Sequence, residues 1–396
     1  MASPARPLTD LDFCSGSRIE ELNKLLEELE RRESIALQGK EVLHTCVQAK
    51  ELIFSLIGQV HPLPSPNAFL LLSGGLCSGS LDVSPTDLGS PSPFICHSIS
   101  YTLLVPIIRL PSPDLLSQSS PCHYALPSSA WNSAHSKTPT SHLSPQDVSM
   151  WFSASLLSVV SSLSETSLIL QGAERWGSSV SILLSTSTLL IRFDIVPVVE
   201  VQGWPPGVQY LDDLVAEDGI GPKVFHLLPW GADGRWRVGF PGVELYMRRF
   251  LHPALSRVLR ASKAVLRQIL QEKGAPGPYV VWVTVLQAYK RLPRGYLSQG
   301  HNAALCFLGL LEELSRLFLK GSCPNPFLPG CDLLLGSPHG PHLARHISEI
   351  RAHPAKYLRA VIRDAKEVVK GGDKGEKGEK EEVEEKEERG FGCYPS

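Results

Sequence analysis

The chain has 396 residues, 43% of them hydrophobic, which is enough for one large or two smaller domains with a packed core. Its formal net charge of −2 excludes the overall basic excess of a protein that binds nucleic acid or anionic membrane over its whole surface. Nine scattered cysteines, and a start without the basic and apolar segments of a secretory signal, predict a reducing, cytosolic compartment with free thiols.

The N-terminal third predicts helices first and strands afterwards. Apolar residues at helical spacing predict one helix after Ser17, with Ile19 to Leu29 on its inner face, and a second with Val42 to Leu56 facing inward. The stretch "NAFLLLSGG" predicts a strand that enters a Gly/Ser-rich turn, and Ile99–Leu110 predicts a buried strand. Residues 111–147 are rich in Ser, Pro, Thr and His, which predicts a linker.

The rest of the chain predicts a strand pair followed by helices. The stretch from Trp151 has serines and Glu165 among its apolar residues, which favours an amphipathic core helix over a membrane span. Residues 179–201, broken near Ser185, predict an antiparallel pair, and a short strand then leads into a long helix that Gly274 ends. Three further helices follow, and the Lys/Glu-rich end predicts disorder.

We therefore predict an α+β fold: a mixed sheet with an N-terminal helical pair, followed by an all-helical lobe. The predicted parts are a flexible N-terminus (1–16), N-terminal helices with the first part of the core (17–110), a Ser/Pro-rich linker (111–147), the second part of the core (148–243), the helical lobe (244–369) and a charged tail (370–396).

Asp194 is a single carboxylate in an otherwise apolar strand. Nucleotidyl transfer uses two divalent ions, which need a carboxylate pair on one strand and a third carboxylate on a neighbouring strand, behind a Gly-Ser turn that holds phosphate. Gly79 and Ser80 supply such a turn, but Ile99–Leu110 contains no Asp or Glu. The alternative, an acid that backbone N–H groups or a basic neighbour satisfy, is therefore favoured, and no catalytic residue, metal or cofactor is predicted.

Two other clusters have both a functional and a structural interpretation. The two histidines at i, i+4 spacing, His342 and His346, follow His339, Cys331 and Cys323, but the pattern lacks the Cys-x-x-Cys pair of a zinc site, and surface histidines are favoured. A basic stripe on one predicted helix could contact phosphate or an acidic partner, but a solvated helix face is favoured. The stripe consists of Arg257, Arg260, Lys263 and Arg267.

Seven Ser-Pro or Thr-Pro pairs lie in or near the predicted linker. Proline-directed phosphorylation would turn them into charged docking sites, and the equally weighted alternative is that such pairs are simply common in disordered sequence. The candidate phosphorylation sites are Ser112, Ser120, Thr138 and Ser144, with Ser84, Ser90 and Ser92 upstream.

Four motifs resemble the Mab-21 family, whose relatives include cyclic GMP-AMP synthase. These motifs are "LLIRFDIVPVVEVQGWP", "RWRVGFPGVELYM", "YVVWVTVLQAYKRLP" and "CPNPFLPGCDLL", and they occur in the family's order across most of residues 60–355. The resemblance implies a degenerate nucleotidyltransferase-like core. It places Asp194 at the third catalytic position of active relatives, and it places Ser98 where those relatives carry a metal-binding acid. Gly239 replaces a family serine, and the His/Cys zinc insertion of the DNA-sensing relative is absent.

The resemblance therefore implies a non-enzyme in which Gly79, Ser80, Ser98 and Asp194 are vestigial positions of a nucleotide cleft. A closer resemblance to one family member implies a signalling adaptor that associates with the common beta chain of a cytokine receptor and regulates apoptosis on cytokine withdrawal. Localisation is then cytoplasmic, with recruitment to the cell membrane through a partner and a mitochondrial link through apoptosis. No nucleic-acid partner is implied. The alternatives are a nucleotide-binding sensor or residual nucleotidyltransferase, and a single-pass membrane protein.

Overall fold

The fold is α+β, with a helical pair at the N-terminal end, a mixed sheet and a helical lobe, which confirms the predicted class. The computed structural model describes residues 16–38, 40–60, 70–73, 97–120, 122–130, 142–163, 168–187, 189–209, 223–230, 235–249, 251–270, 279–334 and 340–363. The helices are α1 (Gly16–Gln38), α2 (Lys40–Gly58), α3 (Pro145–Ser161), α4 (Pro241–Arg249), α5 (Pro253–Leu270), α6 (Tyr279–Arg291), α7 (Ala303–Lys320) and α8 (Gly340–Ala352). Residues 354–363 are also helical.

The sheet is built around its longest strands. The strands are β1 (Leu70–Ser73), β2 (His97–Leu110), β3 (Ser117–Ser120), β4 (His123–Pro127), β5 (His142–Leu143), β6 (Ile169–Trp176), β7 (Ser179–Ser185), β8 (Leu189–Gln202), β9 (Val224–Trp230) and β10 (Arg235–Gly239). Their main order is β1-β2-β8-β9-β10-β4-β3, in which β2 and β8 are parallel. Along its other edge β8 pairs first with β7, which continues into β6, and then with β9. The sheet therefore forks at β8.

The two faces of β8 differ in burial. All odd-numbered residues from Leu189 to Val201 are buried, as expected for a strand face that packs under helices. Phe193 stacks on Tyr101 of β2 with ring centroids 5.0 Å apart, and Lys50 of α2 lies 4.9 Å from the Tyr101 ring centroid. Helix α2 thus covers the odd-numbered face, and the first half of the even-numbered face is left half exposed.

A β-bulge interrupts the ladder between β2 and β8. Pro106 pairs with Val198 and Ile108 pairs with Val199, so Ile107 is an extra residue on β2. Beyond the bulge Arg109 lies opposite Glu200, and their side chains form an ion pair with an Nε–Oε1 distance of 3.3 Å.

Helix α1 joins the N-terminal pair to the helical lobe. Leu22, Leu26 and Leu29 are buried in the same core as the lobe helices. The Asn23 side chain donates to the carbonyl of His301 at 2.7 Å and accepts from the backbone N–H of Ala304 at 2.9 Å. The first turn of α7 thus receives its cap from another helix, because its own preceding residue makes no side-chain cap.

Part of the predicted linker belongs to the sheet. Residues 117–120 and 123–127 form β3 and β4, and Tyr124 and Leu126 are buried, so the linker prediction is wrong for these residues. The error has a physical reason: β4 alternates in burial with only two large apolar residues. Two such residues in a Ser/Pro-rich segment are too few to give a recognisable strand pattern. Helix α3 also begins inside the predicted linker, at Pro145, and residues 131–141 lie outside the described residues.

Two predicted helices have different ends in the structure. The helix predicted from Trp151 ends at Ser161, and Ile169 and Leu170 at the end of that stretch begin β6. The predicted long helix is divided into α4 and α5 at Pro253, because proline lacks an N–H donor and disfavours helical geometry in the residue before it. The antiparallel pair predicted for residues 179–201 is confirmed as β7 and β8.

Candidate functional site

Asp194 lies on the half-exposed face in the middle of β8. Its neighbour Phe193 points into the helix-covered core, so the alternation of a strand directs Asp194 to the opposite side of the sheet. The Asp194 side chain is 28% exposed. We call the sheet face that Asp194 shares with β6, β7 and β2 the open face. It is half exposed at the first half of β8, whereas Ser181, Leu183 and Ser185 of β7, on the same face, are buried.

Strand pairing places four polar residues in one row across the open face. Glu174 of β6 pairs with Ser181 of β7, Ser181 pairs with Asp194 of β8, and Asp194 pairs with Thr102 of β2. Neighbouring strands are about 4.8 Å apart, so the backbones at Glu174 and Asp194 are separated by roughly 10 Å. The two carboxylates therefore share a face but do not converge on one ion at this separation.

The Asp194 carboxylate is paired with a cation on its own strand. The Nε atom of Arg192 donates to Oδ1 of Asp194 at 3.0 Å, and the two side chains are 34% and 28% exposed. Residues two apart on a strand share a face, which explains the contact. This arrangement corresponds to the alternative in which a basic neighbour satisfies Asp194.

The other predicted cleft positions do not converge on Asp194. Ser98 lies on β2 opposite Leu190, four residues before the Thr102 that pairs with Asp194. At about 3.3 Å per residue this is a displacement of roughly 13 Å along the parallel strands. Gly79 and Ser80 lie outside the described residues. Within the ranges that the structure describes, no three His, Cys, Asp or Glu residues are grouped to hold a metal ion.

Sequence reasoning missed the neighbours of Asp194. The sequence does not single out Glu174 and Ser181, because residues 171–176 have no predicted element and because proximity to Asp194 depends on cross-strand register. A sequence signal did exist: Gly177, which adopts a positive φ of 60°, sits in the tight turn between two β-like runs and marks a hairpin. Arg192 is two residues from Asp194, and recognising a strand there suffices to put both on one face.

A second polar cluster is buried where the helical lobe meets the sheet, and we call it the junction. Glu244 of α4 is 7% exposed, and its Oε1 accepts a hydrogen bond from the Tyr279 hydroxyl at 2.6 Å. The Arg248 guanidinium lies 4.6 Å from the ring centroid of Trp282. Burial raises the pKa of Glu244, against the opposing effects of Tyr279 and Arg248, and burial also raises the pKa of Tyr279 well above its usual value.

His226 of β9 is the other strongly shifted group. Its side chain is 5% exposed, its Nδ1 atom makes no hydrogen bond, and burial lowers its pKa to about 4. It lies opposite Glu200 of β8, which is engaged by Arg109. His226 is therefore held neutral inside the sheet at physiological pH.

The predicted basic stripe on α5 faces helix α1. Arg257 contacts Glu30 at 2.8 Å and Glu27 at 3.3 Å, and Arg260 also pairs with Glu30. The two arginine side chains are 15% and 17% exposed, so the interpretation as a solvated face does not hold for them. The stripe residues Lys263 and Arg267 also have interaction partners. The ion pairs of Arg257 and Arg260 attach α1 to the lobe.

Three of the candidate phosphorylation sites have structural hydrogen bonds. Ser112 caps a short 3-10 turn by accepting from the N–H of Asp114 at 3.1 Å, and Ser144 caps α3 by accepting from Gln146 N–H at 3.2 Å. The hydroxyl of Ser120 lies 2.9 Å from Nδ1 of His123. Thr138 and the three upstream Ser-Pro serines at positions 84, 90 and 92 lie outside the described residues.

The candidate zinc residues have separate structural roles. Cys323 and Cys331 are buried free thiols in the loop between α7 and α8, and the His346 ring contacts the Tyr357 ring with centroids 6.5 Å apart. His339 lies outside the described residues. The loop is organised by Asp332, which accepts from the hydroxyl of Ser322 and from two backbone N–H groups.

Fold and site together define the class: an α+β protein whose mixed sheet carries an open polar face on one side and helices on the other, with a helical lobe joined to it through a buried polar junction. The chain is similar to transmembrane protein 102 of Mus musculus, with 29% identity over 490 aligned residues that cover 93% of this chain and 95% of the relative. Transmembrane protein 102 of Bos taurus is 28% identical over 494 residues, with the same coverage.

Transmembrane protein 102 is the protein to which the closer resemblance in the sequence refers. The similarity covers nearly the whole length of both proteins and confirms that resemblance. Because 490 aligned positions exceed the 396 residues of the chain, the relatives contain insertions. No profile of a known protein family matches the chain. In the part of the chain that the structure describes, every helix is too short or too polar to cross a membrane.

Proposed function

We propose that this protein is a non-catalytic signalling adaptor of the Mab-21 type, built on a degenerate nucleotidyltransferase-like core. In this proposal it associates with the common beta chain of a cytokine receptor and regulates apoptosis when the cytokine is withdrawn. It works in the cytoplasm, reaches the membrane through its partner, and affects mitochondria through apoptosis.

The observation that carries the proposal is the state of Asp194. The metal pair of an active nucleotidyltransferase is held by several converging carboxylates whose oxygens are free to bind the ions. Here Asp194 is engaged by Arg192 at 3.0 Å, its cross-strand neighbours are Ser181 and Thr102, and Glu174 is two strands away. The guanidinium supplies the positive charge that this carboxylate needs, which favours a face used for contact rather than catalysis.

A binding experiment tests the adaptor role directly. Purified full-length protein is incubated with the immobilised cytoplasmic tail of the receptor common beta chain, with an unrelated receptor tail as the control surface. We expect retention on the common beta tail alone, and we expect Asp194→Ala to bind equally well, because an adaptor does not need this carboxylate for metal. Equal or absent retention on both tails would remove direct receptor contact from the proposal.

The structure guides which variants are suitable. Deleting all of residues 111–147 would remove β3, β4 and β5 with their buried residues Tyr124, Leu126 and Leu143, so that a loss of binding would report unfolding. Phosphorylation is better tested by treating the intact protein with a proline-directed kinase and comparing its retention with that of Thr138→Ala. A change in retention that the variant abolishes assigns the docking role to Thr138.

The row of polar residues favours one second candidate, a nucleotide-binding sensor. Glu174 and Asp194 lie on either side of Ser181 in this row, and carboxylates on one sheet face can bind a hydrated metal–nucleotide complex. Thermal unfolding is measured with nucleoside triphosphates and Mg²⁺ or Mn²⁺. A rise in the unfolding temperature that disappears in Asp194→Ala would favour this candidate over the adaptor, because a ligand that binds the folded state stabilises it.

Membrane recruitment through a partner is tested separately. Alkaline carbonate releases proteins that are held at membranes by other proteins and retains those that span the bilayer. We expect the protein to be released into the supernatant. Retention in the membrane pellet would favour the single-pass alternative instead.

A further inference from the structure

Two cysteines that are distant in the sequence meet at the boundary between the sheet and the helical lobe. Cys122 lies in the turn between β3 and β4, and Cys331 lies in the loop between α7 and α8. Both are free thiols, and the Cys331 side chain is within hydrogen-bonding reach of the Cys122 side chain and of the Arg237 guanidinium. Neither residue belongs to the open face.

The backbone around both thiols is fixed. The carbonyl of Cys122 accepts a hydrogen bond from the N–H of Val238 in β10 at 3.0 Å, which ties the turn to the sheet. Cys331 donates its N–H to the carbonyl of Leu328 and accepts from Asn325 N–H, both at 2.8 Å. In the same loop the ring of Phe327 packs edge-on against that of Phe240, directly after β10, with ring centroids 5.6 Å apart, so the turn and the loop are both anchored at this end of β10.

The two thiols differ in accessibility. Cys122 is partly exposed, whereas Cys331 is 2% exposed. Burial and the neighbouring Cys122 raise the pKa of Cys331 to about 12, so Cys331 is a protonated thiol at neutral pH. Arg237 pairs across the sheet with His123, next to Cys122, and its guanidinium is also within reach of Cys331.

We propose that Cys122 and Cys331 form a peroxide-sensitive dithiol site that closes into a disulfide linking the sheet to the helical lobe. The co-reactant is a hydroperoxide. The Cys122 thiolate attacks one peroxide oxygen, the O–O bond breaks, and hydroxide leaves, which oxidises Cys122 to a sulfenic acid. The Cys331 sulfur then attacks the Cys122 sulfur, the S–O bond breaks, and the hydroxyl leaves with the thiol proton as water. This role does not depend on the adaptor proposal.

The site is tested on the purified full-length protein with hydrogen peroxide as the probe. After treatment, remaining thiols are alkylated, and the protein is digested and mapped by mass spectrometry without and with a reductant. We expect a Cys122–Cys331 cross-linked peptide whose mass is lower by two hydrogen atoms than the sum of its parts, and we expect dithiothreitol to release both halves. Full alkylation of both cysteines after peroxide treatment would overturn the proposal.

Variants separate the two steps. In Cys331→Ala the sulfenic acid on Cys122 has no resolving thiol, so we expect it to accumulate and to be trapped by dimedone. In Cys122→Ser we expect no cross-link at Cys331, and the matched control Cys306→Ala, which removes another buried thiol, retains the wild-type cross-link. A cross-link from Cys331 to a different cysteine, or no dimedone adduct on Cys122 in Cys331→Ala, would also contradict the assignment.

Discussion

The open face and the junction each contain a carboxylate beside an arginine, yet the two carboxylates are in opposite environments. Asp194 is 28% exposed and contacts Arg192 on the same strand, in a region that water reaches. Glu244 is 7% exposed, and its carboxylate accepts a hydrogen bond from Tyr279, with Arg248 nearby. The acid that stands out in the sequence is therefore energetically ordinary, and the acid with a strongly altered environment is inconspicuous in the sequence.

The largest expected difference between the two regions is in how far the free energy of unfolding falls when the acid is removed. Glu244→Ala leaves the buried Tyr279 hydroxyl without its acceptor, removes the carboxylate near Arg248 and opens a cavity, and we expect it to lower the free energy of unfolding by about 3–5 kcal/mol. Asp194→Ala should change it by less than about 1 kcal/mol, because exposed ion pairs contribute little. Urea unfolding followed by circular dichroism measures both.

A conservative variant distinguishes charge from hydrogen bonding at the junction. Because burial raises the pKa of Glu244, the neutral form is favoured there, and Glu244→Gln should cost about 1 kcal/mol or less. If Glu244→Gln were as damaging as Glu244→Ala, the ionised carboxylate would be the stabilising form, and our view of this cluster would be wrong.

The next largest effect is a pH dependence of the free energy of unfolding that originates at His226 in the sheet interior. His226 has an ordinary pKa of 6.5 that burial lowers to about 4, so the unfolded chain binds its proton first as the solution is acidified. Stability from His226 is fully present above pH 6.5 and is lost as pH falls towards 4, by about 3 kcal/mol in all.

The measurement compares wild type with His226→Phe in urea at several pH values between 7 and 4, a range set by the two pKa values of this group. The variant should be less sensitive to acid over that range. Glu244 acts in the opposite direction, since its pKa is raised: its contribution is complete below its ordinary value of 4.5 and is lost as pH rises. Identical pH profiles for the two proteins would exclude His226 as the source.

A smaller effect is expected from the hydroxyl of Tyr279. Tyr279→Phe removes the donor to Glu244 and leaves a buried carboxyl oxygen unsatisfied, which should cost about 1–3 kcal/mol. Tyr289→Phe, in the same helix, provides the matched control and should lie within about 0.5 kcal/mol of wild type. Chemical unfolding of the two variants in parallel tests this, and equal effects would show that the ring rather than the hydrogen bond is sensitive to change.

The smallest effect concerns the coupling between Arg192 and Asp194. A double-mutant cycle with Arg192→Ala and Asp194→Ala should yield an interaction energy of about 0.2–1 kcal/mol that decreases when salt is added. A coupling of several kcal/mol that persists in high salt would mean that the open face is far less accessible to water than its exposure indicates.

Sequence reasoning found the features that depend on local periodicity and missed those that depend on register. The long apolar alternation of β8 and the heptad-like spacing in α1 and α7 identify these elements on their own. Glu174 and Asp194 came together only through the pairings of β6, β7 and β8, and Cys122 met Cys331 only through the packing of a loop against the sheet. Spacing along one chain contains no such information, because these contacts are decided by tertiary structure.

The same limit applies to the linker. A Ser/Pro-rich composition correctly indicates that a segment has little apolar surface to bury, but a short strand next to the sheet edge needs little. Two buried residues, Tyr124 and Leu126, are enough to hold β4 against β10, and Ser144 both precedes a proline and caps a helix. A Ser-Pro pair thus indicated a turn or cap as much as an exposed docking site.

The extra residue at Ile107 shifts the alternation of β2 by one position. Thr102, opposite Asp194, is even-numbered, whereas Arg109, opposite Glu200, is odd-numbered, although Asp194 and Glu200 lie on one face of β8. A regular strand of unchanged length would turn Arg109 to the helix-covered side, away from Glu200. Deleting Ile107 alone would instead join Pro106 to Ile108 and keep Arg109 opposite Glu200, so a gene for this fold can lose this one codon and retain the ion pair.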